Sequence, residues 1–153
     1  MSKYNITEKK EKKAVYRSLV NSCLMNELKM KVHEILFKQK HYKDKDYSAK
    51  KLAEDLGTNT RYISAVVNVK FHMNYTSLVN KYRVEEAMGI LASKRFGKLN
   101  MEDVSDMVGF ANRQSFYAAF YKQNKCTPRE YRFQHGGYTK RPSSSKGKAD
   151  NNE

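Results

Sequence analysis

The chain has 153 residues, which suits one compact domain or two very small ones that share a core. Its 30 lysines and arginines against 16 acids give a net charge of +14, spread along the chain, which predicts attraction to nucleic acid or another polyanion. Two cysteines are too few for a secreted disulfide scaffold, no apolar run reaches the roughly 18–20 residues of a membrane span, and the N-terminus lacks the apolar stretch of a signal peptide. We therefore expect a cytoplasmic protein.

Helical spacing of the apolar residues, with only two prolines and seven glycines, predicts an all-α fold. Residues 1–14 are polar and basic and are expected to form a flexible leader. An extra N-terminal helix from about 15 to 39 is predicted by apolar residues at every fourth position: Val20, Leu24, Leu28, Val32 and Leu36. The polar segment KHYKDKDYS that follows is predicted to be a loop, and we assign residues 15–45 to this helix and loop.

The remaining helices are predicted from their end signals. Side chains able to accept a backbone hydrogen bond at a helix start stand at five points: Ser48, Thr58 or Asn59, Asn74, Asn100 and Thr127. Gly57 and Gly109 end the first helix of each of two hairpins. The predicted domains are a hairpin over 46–74, a linker helix over 75–94, a second hairpin with a closing helix over 95–133, and a disordered tail over 134–153.

The two hairpins resemble each other. LAEDLG-TNTRYISAVVN and VSDMVG-FANRQSFYAAF each contain a short helix, a glycine, a tight turn and a second helix, with one extra residue in the second turn. Ile63 aligns with Phe116 and Val67 with Phe120, each 53 positions apart. A short helix, a tight turn and a second helix form the pattern of a helix-turn-helix unit. Two such units in one basic chain indicate DNA binding.

The length of the linker helix fits one duplex. Roughly 19 residues at 1.5 Å per residue span about 28 Å, and successive major-groove segments on one side of B-DNA lie about 34 Å apart. Each unit can therefore place a helix in the same side of one duplex. We expect the chain to bind an asymmetric site as a monomer.

Several motifs carry a family resemblance over residues from about 45 to 132. They are LAEDLG with TRYIS in the first unit, YRVEEA in the linker helix, and VGF, SFYAAF and TPREYR in the second unit. In these motifs the chain resembles the DNA-binding domain of the AraC/XylS family of bacterial transcription regulators. The resemblance implies a seven-helix domain with two helix-turn-helix units that binds double-stranded DNA near promoters. It also implies activation through contact with RNA polymerase, at the bacterial nucleoid.

A projection at about 100° per residue separates an inner from an outer face of each second helix. The inner faces are predicted to hold core residues, joined by Phe110 and Tyr131: Ile63, Val66 and Val67 in the first unit, and Phe116, Ala119, Phe120 and Gln123 in the second. DNA contacts are predicted on the helices from about 59 to 69 and from about 112 to 123, at Asn59, Thr60, Arg61, Tyr62, Ser64, Ala65, Asn68, Asn112, Arg113, Gln114, Ser115, Tyr117, Ala118, Tyr121 and Lys122.

The chemistry of these side chains suits base and phosphate contacts. Arginine binds guanine through two hydrogen bonds and glutamine does the same for adenine, while Ser, Thr and Asn bind phosphates or either base. Contacts to base edges are expected near the helix N-termini, at Arg61 and Ser64 and at Arg113 and Gln114. Tyrosines on the second helix have three alternatives, namely thymine methyls, phosphates, or packing within the protein.

The sequence also departs from the family pattern. Ala65 and Ala118 stand where relatives often have arginine, which shifts the expected readout toward A·T contacts and DNA shape. His72 and Lys125 stand where relatives often have glycine. A left-handed residue other than glycine costs about 1 kcal/mol there, and a differently built turn is the alternative.

No motif of an enzyme or a cofactor site is found. A metal site is not expected either, because the four histidines show no paired spacing with cysteine or carboxylate. Cys23 and Cys126 are expected to be buried thiols. Only about 45 residues precede the first unit, too few for a sugar-binding barrel, so no small-molecule effector is expected. Two alternatives to a transcription regulator remain: an accessory DNA protein of recombination or chromosome architecture, and a module whose N-terminal helix binds another protein.

Overall fold

The computed structural model describes residues 21–136, and within that range the chain is helical and contains no strand. Helix α1 is described from residue 21 to 33 and continues into a π-helical turn over Glu34–Lys38. Six helices follow, α2 Ala49–Asp55, α3 Thr60–Phe71, α4 Tyr75–Ala92, α5 Met101–Val108, α6 Arg113–Asn124 and α7 Pro128–His135. This confirms the predicted all-α fold, in which α2–α3 and α5–α6 are the two helix-turn-helix units and α4 is the linker helix.

The ends of the chain limit what is tested. The predicted leader over 1–14, the first residues of the N-terminal helix and residues 137–153 of the predicted tail lie outside the described residues. Helix α7 continues to His135, whose ring stacks on Tyr131 with centroids 4.1 Å apart. Residues 134 and 135, which were predicted to belong to the tail, are therefore part of the closing helix.

Capping side chains fix where the helices begin. Asn59 and Asn112 accept backbone hydrogen bonds, from Tyr62 N at 3.1 Å and Ser115 N at 2.8 Å. Ser48 and Asn74 do the same for α2 and α4. Reciprocal capping boxes open α5, from Asn100 with Asp103, and α7, from Thr127 with Glu130. The caps predicted from the sequence are confirmed, and Asn59 rather than Thr58 is the one that begins α3.

Within residues 21–136, contacts divide the chain into two compact units, with the boundary between Tyr82 and Arg83, inside α4. The core of the first unit joins α1, α2, α3 and the first half of α4. Its buried members are largely aliphatic and include the predicted Ile63, Val66 and Val67. Leu28 and Val32 of α1 and Leu36 of the π-helical turn complete this core.

The segment predicted as a polar loop contributes to this core as well. It contains a 3₁₀ turn over His41–Lys43, and both Tyr42 and Tyr47 are buried. The Tyr47 hydroxyl donates to Asp55 Oδ2 at 2.7 Å, and Tyr75 donates to the Tyr47 carbonyl at 2.9 Å. Burial, and then this bond to Asp55, raise the pKa of Tyr47 above its ordinary value, and the same bond lowers the pKa of the Asp55 carboxyl.

The core of the second unit combines a cluster of phenylalanine rings with apolar side chains of α4 and α5. Phe110, Phe116 and Phe120 are fully buried, and Tyr131 meets Phe120 edge-on with centroids 5.4 Å apart. The predicted inner residue Gln123 is exposed instead. It lies in the last turn of α6, one residue before the helix ends at Asn124.

The prediction of two buried thiols is wrong for Cys23, which is exposed on α1, whereas Cys126 is half-buried. Leu24, next to Cys23, packs against the core, so Cys23 does not belong to the apolar face of α1. Burial raises the pKa of the Cys126 thiol.

Candidate nucleic-acid interface

In the first unit, the cap at Asn59 starts α3 with its polar side chains in solvent. Ile63, Val66 and Val67 turn the opposite side of the helix into the core. Of the seven residues predicted here, Ala65 is partly covered. The other six are exposed: Asn59, Thr60, Arg61, Tyr62, Ser64 and Asn68. The Asn68 side chain donates to the Ser64 carbonyl at 2.9 Å.

An open groove of about 360 Å³ runs beside this surface, between α1 and α3. Its walls combine residues already predicted for DNA contact with a strip of α1 that sequence patterns did not assign to the surface: Asn59, Arg61, Tyr62, Ala65, Asn21, Leu24 and Met25. The strip explains why Ala65 is only partly exposed. Periodicity within α1 gives no signal for this contact, because the contact depends on packing between distant segments.

In the second unit, the Asn112 cap likewise starts α6 in solvent, with Phe116 and Phe120 directed into the core. Seven predicted residues are exposed: Asn112, Arg113, Gln114, Ser115, Ala118, Tyr121 and Lys122. Tyr121 keeps 55% of its surface exposed. These side chains are available to a partner that approaches α6 from outside.

Tyr117 differs from the other predicted residues because it is half-buried. Its ring meets Phe116 edge-on, with centroids 6.0 Å apart. The Arg113 guanidinium lies over the same ring, 5.7 Å from its centroid. Tyr117 therefore links the aromatic core to Arg113 and restrains where that cation lies.

A second open cleft, of about 490 Å³, lies between α6 and the start of α7. Arg113, Gln114 and Tyr117 line it from α6, and Thr127 and Arg129 line it from the other side. Sequence reasoning assigned TPREYR only to the cap and start of α7 and missed the exposed Arg129. The sequence contains no signal for this placement, because it depends on how the turn at Lys125 sets α7 beside α6.

Charge separates the second helix of each unit from the first. Helices α3 and α6 contain no acid, and each carries two cations: Arg61 and Lys70 in α3, and Arg113 and Lys122 in α6. Helix α2 by contrast carries two lysines and two acids, and α5 carries three acids and no cation. Each of these two helices thus carries the sign of charge that a polyanion such as DNA attracts.

The ends of α3 and α6 share an unusual backbone feature. His72 and Lys125, 53 positions apart, both adopt a left-handed conformation with φ of 58°. The turn is therefore left-handed in both units although neither residue is glycine. The alternative of a differently built turn is wrong, and each unit carries the cost of about 1 kcal/mol.

Within residues 21–136, no three His, Cys, Asp or Glu side chains are grouped closely enough to hold a metal ion. In the same range, no helix combines the length and the apolar character that crossing a membrane requires.

Comparisons with known proteins agree with this architecture. A family model described as a helix-turn-helix domain matches residues 52–134. The sequence has no significant match among curated proteins.

Solved structures match the fold. The C-terminal domain of AraT, a response regulator from Geobacillus stearothermophilus, superposes with a TM-score of 0.59 at 23% identity, covering 71% of this chain and 87% of that one. A Listeria innocua protein of unknown function superposes with a TM-score of 0.59 at 26% identity, covering 68% of this chain and 96% of that one. A transcriptional regulator from Chromobacterium violaceum, described as containing an AraC-type DNA-binding domain, superposes with a TM-score of 0.53 at 18% identity, covering 60% of this chain and 79% of that one. Because the family model covers more than half of the chain and these neighbours share its fold, the chain belongs to the AraC-type helix-turn-helix family of DNA-binding domains.

Proposed function

We propose that the chain is a sequence-specific transcription activator that binds double-stranded DNA as a monomer in the bacterial nucleoid. In this proposal α3 and α6 enter successive major-groove segments of one duplex. The observation that carries it is the repeated pair of acid-free helices, each capped by asparagine and each exposing a polar face opposite a buried one. An exposed, cationic helix of this kind, in a family of DNA-binding domains, fits the width of the major groove.

The first turns of the two helices supply the base contacts. Arg61 and Ser64 from α3, and Arg113 and Gln114 from α6, present donors and acceptors that match guanine and adenine edges. Arg61 and Gln114 occupy equivalent positions, 53 residues apart. The two units are therefore proposed to prefer different bases at equivalent points of their half-sites.

The remaining predicted residues are proposed to contact the backbone or thymine. Asn59 and Asn112 use their side-chain oxygens as caps, which leaves their amide NH₂ groups to donate to phosphates. Thr60, Ser115 and Lys122 present further donors to phosphates. The methyl groups of Ala65 and Ala118 fit thymine methyls.

The tyrosines are proposed to have different roles. Tyr121, with 55% of its surface exposed, is placed to contact a thymine methyl or a phosphate. Tyr117, which is half-buried, acts through the position of Arg113. Tyr62, 42% exposed at the groove beside α1, adds contact area at the edge of the first half-site.

Selection of bound duplexes from a random library tests DNA readout. The selected duplex is expected to bind at least roughly 10³-fold more tightly than random duplex at physiological salt. A ratio near one would replace the regulator by an accessory DNA protein of weak sequence preference. Arg95→Gln, in the turn Lys94–Phe96 of the second unit, is the control. It removes one cation outside both helices and is expected to select the same sequence.

A separate experiment tests activation. Purified RNA polymerase is given a promoter with the selected site upstream of it, and transcripts are counted with and without the chain. An increase that requires the site supports activation through polymerase contact. A decrease at the same occupancy would make the chain a repressor and leave the DNA-binding part of the proposal intact.

A further inference from the structure

Two arginines from different helices face one cleft of the second unit. Arg113 begins α6 and Arg129 lies in the first turn of α7, and both line the opening between these helices. The other lining residues, Gln114, Tyr117 and Thr127, are uncharged. The cleft is therefore a cationic site with hydrogen-bonding walls, open to solvent beside a helix proposed to read bases.

One acid, Glu130, follows Arg129 in the chain, and the capping box holds its carboxylate at the start of α7. The Glu130 carboxylate accepts from Thr127 N at 2.8 Å, and Thr127 Oγ1 accepts in turn from Glu130 N, so both groups are engaged in the capping box. Among the described residues, neither Arg113 nor Arg129 has an ion-pair partner. Arg132, one turn further along α7, donates instead to the Leu99 carbonyl at 2.6 Å and belongs to the protein interior.

We infer that this cleft binds one backbone phosphate of the DNA at the edge of the second half-site, with Arg129 as its donor. The inference rests on the proposed function. Arginine offers a planar pair of N–H donors that match phosphate oxygens, and its charge stays constant with pH. The charge of Arg113 adds to the attraction from the α6 side. A phosphate held there fixes the register of α6 along the groove, because backbone contacts position a recognition helix.

The position of the cleft favours a DNA phosphate as its occupant. Gln114 belongs both to the cleft and to the proposed base-reading surface, so a helix in the major groove brings the adjacent strand to the cleft. The first unit has no counterpart for Arg129. The position 53 residues earlier is Thr76, next to the equivalent cap Asn74. The phosphate contact is therefore specific to the second unit and gives the bound chain a direction along the DNA.

Salt dependence of binding tests the contact. Wild-type chain and Arg129→Gln are titrated with the selected duplex and with random duplex at several salt concentrations. The variant is expected to bind both duplexes about 5–20-fold more weakly at 0.1 M salt and to lower the slope of log K against log salt by about 0.9. Arg95→Gln is expected to leave the slope unchanged, and Arg129→Lys to keep most of it.

Single-phosphate replacement locates the contact. Selected duplexes that carry one neutral methylphosphonate at a time are bound to wild-type chain and to Arg129→Gln. At one phosphate, the replacement is expected to weaken the wild type and to have no further effect on the variant. Additive losses at every phosphate, or an unchanged salt slope, would overturn the inference. A wild-type chain that shows no preference for the selected duplex would instead overturn the proposed function.

Discussion

The two helix-turn-helix units share a frame and differ in what fills it. Caps at Asn59 and Asn112, and left-handed ends at His72 and Lys125, repeat at a spacing of 53 residues. Between these points the first unit packs aliphatic side chains and the second packs phenylalanine rings. The comparison indicates that the caps and the left-handed helix ends specify the hairpin. Different core residues can fill it, provided that their combined volume fits.

The surroundings of the recognition helices differ more than the helices themselves. Beside α3 lies a groove with the partly buried Leu24 and Met25 of α1 in its walls, whereas beside α6 lies a cleft with the cation Arg129. Similar helices thus sit in different chemical settings. Four measurements test how far the two units differ, and the one with the largest expected effect comes first.

Core truncation is expected to give the largest effect. Phe116→Ala should lower the free energy of unfolding by about 3–5 kcal/mol and the equivalent Ile63→Ala by about 2–5, because each removes a fully buried side chain and leaves a cavity. Urea titration followed by amide NMR signals assigns the loss to one unit or the other. Ile63→Val, at about 0.5–1.5 kcal/mol, is the matched control. A loss below that control for Phe116→Ala would contradict the assignment of the ring cluster as the core.

Exchange of the equivalent base readers tests whether the units prefer different bases. Arg61→Gln is expected to change the selected base at one position from guanine to adenine, since glutamine in the major groove pairs with adenine. The preference for the original base should fall by about 1–3 kcal/mol. Site selection with wild-type and variant chains measures this. A uniform loss of affinity without a change of base would assign Arg61 to the backbone instead.

Glycine at the left-handed ends is expected to stabilise the protein. His72→Gly and Lys125→Gly each relieve a backbone conformation with φ of 58°, for a gain of up to roughly 0.5 kcal/mol after the entropy cost of glycine. Thermal unfolding by circular dichroism measures it. Gly57→Ala, at φ of 65°, is the reverse control and should destabilise. Equal gains at both ends would show that the shared frame has the same energetics in the two units.

A pH effect distinguishes the first unit. The folded-state pKa of Asp55 lies below its ordinary value because the Tyr47 hydroxyl donates to it. This contribution is present above the unfolded-state pKa of Asp55 and is lost as pH falls through the folded-state pKa. Tyr47→Phe should raise the pKa of Asp55 in an NMR titration and weaken the decline in stability on acidification. Lys51→Gln, which removes the other partner of Asp55, should have a smaller effect.

Features that depend on neighbours in the chain were predictable from the sequence. The caps at Asn59 and Asn74, and the capping box at Thr127, involve residues three positions apart, so the sequence contains both partners. The inner faces of α3 and α6 were predicted correctly from the helical period alone, except at Gln123, which is exposed in the last turn of α6.

Features that depend on distant segments were not predictable. Tyr47 is buried because Asp55 and Tyr75 meet it, although the residues around it are polar. Leu24 and Met25 reach the surface of α3 through tertiary packing. Arg129 faces α6 only because the left-handed turn at Lys125 brings α7 back beside that helix.

The unequal exposure of the two cysteines provides a chemical label in the unaltered sequence. Cys23 is exposed two residues after Asn21, which lines the groove beside α3, whereas Cys126 is half-buried and its thiol pKa is raised. Because the thiolate is the reactive form, maleimide dyes should modify Cys23 first. A fluorophore attached there would report the approach of DNA to the first unit without any substitution in the chain.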